Sequence, residues 1–117
     1  MSETALVHAC LIYLKTQGCM AWRCNTGAMT LRAPGKRSRF VRFNTPGTAD
    51  IIGFGPPPEG RGIAVECKRP GNTPTALQTQ FLRAAQAQGA FACWVTSVTQ
   101  LAEAWEAWHH RQLDVGR

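Results

Sequence analysis

The sequence predicts an α/β fold, a mixed central β-sheet flanked by helices, with elements in the order α-β-β-β-β-α-β-α. Three observations carry this. Apolar residues recur at helical spacing near the N-terminus, over 75–88 and after residue 97. Short β-branched runs bounded by Gly and Pro stand between those segments. The passage 62–96 reads strand, helix, strand after an antiparallel meander, and such a crossover joins parallel strands, so the sheet is mixed. The 117 residues suit one domain, 1–117.

Residues 3–17 place Ala5, Leu6, Cys10, Tyr13 and Leu14 at helical spacing, with Gly18 where a helix-ending glycine belongs. Most other positions there are apolar too, which predicts a helix covered on more than one side. "MAWRCNT", 20–26, reads as a strand ending at Gly27. "LRAPGKRSRFVRFN" contains the turn signal Pro34-Gly35 followed by alternating Arg39, Phe40, Val41, Arg42 and Phe43, a hairpin with a basic edge. "ADIIGF" (49–54) and "GIAVECK" (62–68) are strands joined by "GPPPEGR", whose prolines exclude helix and central strand alike. They are expected to pair antiparallel. Thr73 or Thr75 caps the next helix, with Leu77, Phe81, Leu82 and Ala85 as its apolar stripe and Gly89 as its stop. "AFACWVT", 90–96, is a further strand. The last helix opens with Ser97 and Gln100 as a capping box and turns Leu101, Ala104, Trp105 and Trp108 inward.

A hydrophobic content of 44% is that of a globular chain, and the formal charge of +6 points to a polyanionic partner. The longest apolar run near the N-terminus, "ALVHACLIYL", has about half the length of a membrane span and contains His8. No basic stretch precedes it, as a secretory signal requires. The expectation is a cytoplasmic protein with no membrane association. Five cysteines, Cys10, Cys19, Cys24, Cys67 and Cys93, are scattered without a CxxC pair, which predicts reduced, mostly buried thiols. A zinc site from Cys19, Cys24, His109 and His110 would match no standard spacing, and the two histidines read as structural.

The chemistry gathers at two strand ends. Side chains alternate along a strand, so Glu66 and Lys68 share one face while Val65 and Cys67 enter the opposite layer. Antiparallel pairing of 49–54 with 62–68 brings Asp50 beside Glu66 and Lys68. Two adjacent carboxylates resist ionising together unless a cation lies between them. Mg²⁺ or Mn²⁺ suits such a set: two carboxylates, a backbone carbonyl such as that of Cys67, and waters. Lys68 can hold an attacking water or offset charge growing on a phosphoryl group. The competing reading makes Asp50 a turn residue and Glu66 and Lys68 an ordinary exposed strand face, and an isolated E-x-K is common enough to mean little.

These residues resemble a known family. "RCNTGA", "RFVRFNTPGTADIIGF" and "IAVECKRPGNTPTALQTQFLRAAQAQGA" are similar to the virus-type replication-repair nuclease (VRR-NUC) domains of the PD-(D/E)xK nuclease superfamily, over roughly residues 3–96. The resemblance implies a restriction-endonuclease-like core, with Asp50 and Glu66 as metal ligands and Lys68 as the catalytic lysine. Ala49 stands where the superfamily's name has Pro. It also implies site roles for Gln78 and for Glu3, although an acid in a helix's first turn is favoured by the macrodipole in any case. Asn25 and Gly27 recur in the pattern, as DNA contacts or as a turn. By the same resemblance the protein is a metal-dependent DNA endonuclease from a phage or prophage, acting as a homodimer on branched DNA such as Holliday junctions.

Arg32, Lys36, Arg37, Arg39 and Arg42 cluster on the hairpin and could follow a phosphate backbone or form a solvated face. Lys15, Arg69 and Arg83 are weaker candidates. Trp22, Trp94, Trp105 and Trp108 are spaced like core and interface residues rather than base-stacking ones. The rival readings are a non-catalytic nucleic-acid-binding module of nuclease-like fold and a small protein-interaction domain. Neither predicts a divalent cation at Asp50 and Glu66.

Overall fold

A computed structural model describes residues 1–24, 28–31, 34–42 and 45–115, and for 28–31, 39–42 and 113–115 only the backbone. Ser2 accepts the N–H of Ala5 at 3.1 Å and so caps α1, Glu3–Thr16. Gly18, at φ +85°, follows its C-terminus in the left-handed conformation. Leu6, Val7, Cys10 and Leu14 are buried. Ile12, however, is 55% exposed. α1 meets the sheet and the last helix, and among the described residues its remaining face, with Ala5, His8 and Ile12, is exposed.

The strands are β1 (Met20–Arg23), β2 (Ala28–Leu31), β3 (Arg39–Arg42), β4 (Ile51–Phe54), β5 (Gly62–Cys67) and β6 (Phe91–Val95). The helices after α1 are α2 (Ala76–Ala87) and α3 (Val98–Val115). The order is α-β-β-β-β-β-α-β-α, one strand more than expected, because both arms of the Pro34-Gly35 hairpin are strands. β2 and β3 pair antiparallel with each other and form a separate two-stranded sheet. Arg39 and Arg42 bound a four-residue arm with little apolar length to bury, so the central sheet gains little by admitting it.

That central sheet has the order β1-β4-β5-β6. β4 pairs antiparallel with β1 and with β5, and β6 runs parallel to β5, so the sheet is mixed. α2 supplies the crossover between the parallel pair. On one face Ile51, Ile63, Val65, Cys67, Phe91 and Val95 pack with α1 and α3, including Leu101 and Trp105, both buried. On the other face Ala49, Ala64 and Ala92 pack with Leu82 of α2, flanked by Ile52, Phe81 and Ala85. Leu77, expected in that stripe, is 54% exposed. It sits in the first turn of α2, beyond the small residues on which the helix rests. The aromatic cluster of Phe91, Trp105 and Trp108 closes the α3 layer, with Phe91 edge-on to Trp105 at 5.1 Å. Among the described residues no helix is long and apolar enough to cross a membrane.

Candidate active site

The register places the acids together. Ile51 pairs with Val65, so one step further Asp50 stands opposite Glu66. Lys68 N–H donates to Val95 O at 2.9 Å, toward β6. The preceding N–H, that of Cys67, faces the β4 side, where the ladder has ended. Asp50 Oδ2 accepts it at 2.9 Å. The carboxylate thus replaces a missing backbone acceptor, a structural role that fixes its position. Its own carbonyl accepts Cys24 N–H at 2.7 Å, which ties the end of β1 to the same point.

Glu66 is the one charged residue in the described core, at 2% exposure. It lies on the α2 face, in step with Ala64, while Val65 and Cys67 enter the opposite layer, where Cys67 Sγ meets Cys10 Sγ at 4.0 Å. Lys68 Nζ is 4.0 Å from Glu66 Oε1. Gln78 Nε2 is 3.4 Å from the same oxygen. Glu66 Oε2 is buried and has no donor among the described residues. Burial foremost, and then the neighbouring Asp50 carboxylate, push the Glu66 carboxyl up to about 9, against the opposing Lys68 charge, and Glu3 adds a further push. At neutral pH the carboxyl therefore keeps a proton.

Gln78 comes from α2, whose N-terminus the chain builds as a capping box: Thr75 Oγ1 accepts Gln78 N–H, and Gln78 Oε1 accepts Thr75 N–H at 2.9 Å. The "GTAD" segment lies against that turn. A Cβ on Gly47, at φ +91°, would stand 2.7 Å from Leu77 O. Only glycine combines this backbone conformation with so close an approach.

The structure therefore brings together Asp50, Glu66, Lys68 and Gln78, with Glu3 near enough for its charge to act on Glu66. Cys67 contributes a backbone N–H to Asp50, and its side chain belongs to the core. Lys36 and Arg37 lie exposed between β2 and β3. Arg39 and Arg42 belong to β3 with only their backbone described, and Asn25 and Arg32 lie outside the described residues. The zinc set of Cys19, Cys24, His109 and His110 does not form: among the described residues no three His, Cys, Asp or Glu side chains converge as a metal cluster. His109 stacks on Trp105 at 6.1 Å, and His110 lies 3.9 Å from Glu106 one turn back.

Of the four tryptophans read as core or interface residues, two lie outside the core. Trp22 is 44% and Trp94 42% exposed. Trp94 pairs with Glu66 in the parallel ladder and shares its face. α2 covers β5 and β6 through small residues and leaves these indoles at its flanks, an arrangement that alternation in the sequence alone does not reveal.

The donor set suits a small hard cation. Asp50 and Glu66 offer carboxylate oxygens, one of them buried and without a donor, and Mg²⁺ needs no more than one or two carboxylates beside its waters. No protein-family model matches this chain, and no curated protein matches it.

Proposed function

We propose that this chain is a divalent-metal-dependent DNA endonuclease with a restriction-endonuclease-like core of VRR-NUC type, acting on branched DNA as a homodimer. The single observation that carries the reading is a buried glutamate with an orphaned oxygen, held beside Asp50 and capped by Lys68. A purely structural strand end gains nothing from burying such a carboxyl, since an apolar residue of similar volume would cost less. Asp50 and Glu66 would hold Mg²⁺ or Mn²⁺, and the bound ion would supply Lewis-acid polarisation of a phosphoryl oxygen and a more acidic water. Lys68 donates toward negative charge on the phosphoryl oxygens or orients the attacking water. Gln78 donates to Glu66 Oε1 and keeps its other oxygen free to face the cation. Asp50, anchored by Cys67 N–H through Oδ2, cannot swing away. The +6 chain, with Lys36 and Arg37 exposed on the hairpin, attracts the polyanion.

Incubation with four-way, flapped and linear DNA in Mg²⁺ or Mn²⁺ tests this. Wild type is expected to cut, and Asp50→Asn and Lys68→Ala to lose about 10²-fold or more in rate. No cleavage by wild type, or equal cleavage by the variants, would leave the non-catalytic nucleic-acid-binding reading.

A further inference from the structure

The face of the sheet that carries the acids continues past α2 onto an uncovered aromatic surface. Trp22 pairs with Ile52, and Met20 with Phe54, so Met20, Trp22 and Phe54 lie on the α2 side with Asp50. They are 63%, 44% and 49% exposed. Trp22 is nevertheless held: its ring centroid is 6.0 Å from that of Phe54, with the rings tilted at 52°. Two residues on, Cys24 N–H is bonded to Asp50 O at 2.7 Å, which ties the end of Trp22's strand to the candidate site. Trp22 is the diagonal cross-strand neighbour of Asp50, a separation of roughly 7–8 Å between backbones. An exposed ring is thus braced by Phe54, in register with the candidate site.

Ordinary monomer surfaces carry single exposed apolar residues, but three on adjoining strands beside a charged site call for an occupant. The chain's +6 charge selects a polyanion over an apolar peptide. Of polyanions, a nucleic-acid strand with unstacked bases presents flat π-faces to match the indole. A closed duplex keeps its bases paired and out of reach.

We propose that Trp22, braced by Phe54, stacks an unpaired nucleobase of the DNA strand whose phosphate lies at Asp50 and Glu66. The inference rests on the nuclease reading for its choice of ligand. Stacking of this kind is indifferent to sequence, because every base offers a π-face, and so it selects DNA structure. The preferred substrate is one with unpaired nucleotides beside the cut, such as a flap or an opened branch.

The test is binding in EDTA, with no metal and hence no cleavage, of labelled oligothymidylate and of a blunt duplex of equal length. Trp22→Ala and Trp22→Leu are expected to weaken oligothymidylate binding by at least about fivefold, with Trp22→Phe close to wild type and duplex binding unchanged. Circular dichroism and thermal melting of the Leu and Phe variants check that the fold is kept. Equal loss on both DNAs, no loss, or a Leu variant that binds like wild type overturns the proposal. So does a Trp22-dependent change of oligomeric mass without selective loss on the single strand, which would make the surface a contact between copies. Selective binding without any cutting in metal would remove the nuclease reading and leave the stacking site standing.

Discussion

One side chain serves both the cap of α2 and the candidate site: Gln78 Oε1 accepts the N–H of Thr75 at 2.9 Å, while Gln78 Nε2 reaches Glu66 Oε1 at 3.4 Å. The capping bond fixes which end of the amide faces the acid. A glutamate at 78 would keep the cap, because a carboxylate accepts from Thr75 equally well, but would replace a donor by a third acid. Gln78→Glu is therefore expected to melt near the wild-type temperature and to change divalent-cation affinity and cleavage. Gln78→Ala is expected to lose ~0.5–2 kcal/mol of stability through the cap alone. If both variants alter melting equally and leave cation binding untouched, Gln78 acts only as a cap.

Protonation of Glu66 makes stability depend on pH. Its carboxyl rises from 4.5 to about 9 in the fold, so the folded chain holds a proton that the unfolded chain releases. The resulting stabilisation is fully present below about 4.5 and is lost as pH rises through about 9. Without metal, the melting temperature is expected to fall over that window, and Glu66→Gln to flatten the fall. Saturating Mn²⁺ should reverse it, since binding a cation displaces the proton, and calorimetry in buffers of different ionisation enthalpy should show proton release near neutral pH. A metal-free stability that does not change with pH in this window would contradict the protonated state.

Gly47 couples the "GTAD" segment to α2. Gly47→Ala must both leave the left-handed conformation and part from Leu77 O, which is 2.7 Å from the added carbon. A loss of ~1–3 kcal/mol is expected from the strain alone. Because Asp50 and Gln78 sit on the two segments being separated, cation affinity should fall with stability, as titration against a cation-sensitive melting shift would reveal.

Lys36 and Arg37 bear on duplex binding. If both meet phosphates, replacing them with Gln is expected to reduce the slope of log affinity against log salt by roughly 1.8, at about 0.9 per phosphate contact. An unchanged slope would place the hairpin turn outside the DNA path.

The pairing of β4 with β5 was legible because "GPPPEGR" can only turn back and the two flanking runs have one apolar register that buries Val65 and Cys67 together. Asp50 opposite Glu66 followed from it. The separation of β2 and β3 from the central sheet was not legible, since either arrangement satisfies the alternation at Arg39–Arg42. Nor was the exposure of Trp22 and Trp94: a strand shows which residues share a face, but how far a covering helix reaches depends on its partners, and α2 settles on Ala64 and Ala92. The ladder-ending role of Asp50 was hidden for the same reason, because it depends on where β4 stops.

Cys67, whose sulfur lies 4.0 Å from that of Cys10, stands between two residues with a different allegiance. Along the end of β5, odd positions are rooted in the α1–α3 core and even positions face α2. Selection can therefore act on the two sets almost independently. A lineage could exchange Glu66 or Lys68 and abandon chemistry without dismantling its interior, whereas drift at Val65 or Cys67 would tilt the strand and misplace the acids while leaving every polar residue intact. A descendant that has lost activity need not have lost its signature, and two residues of the core are where that decay would first be hidden.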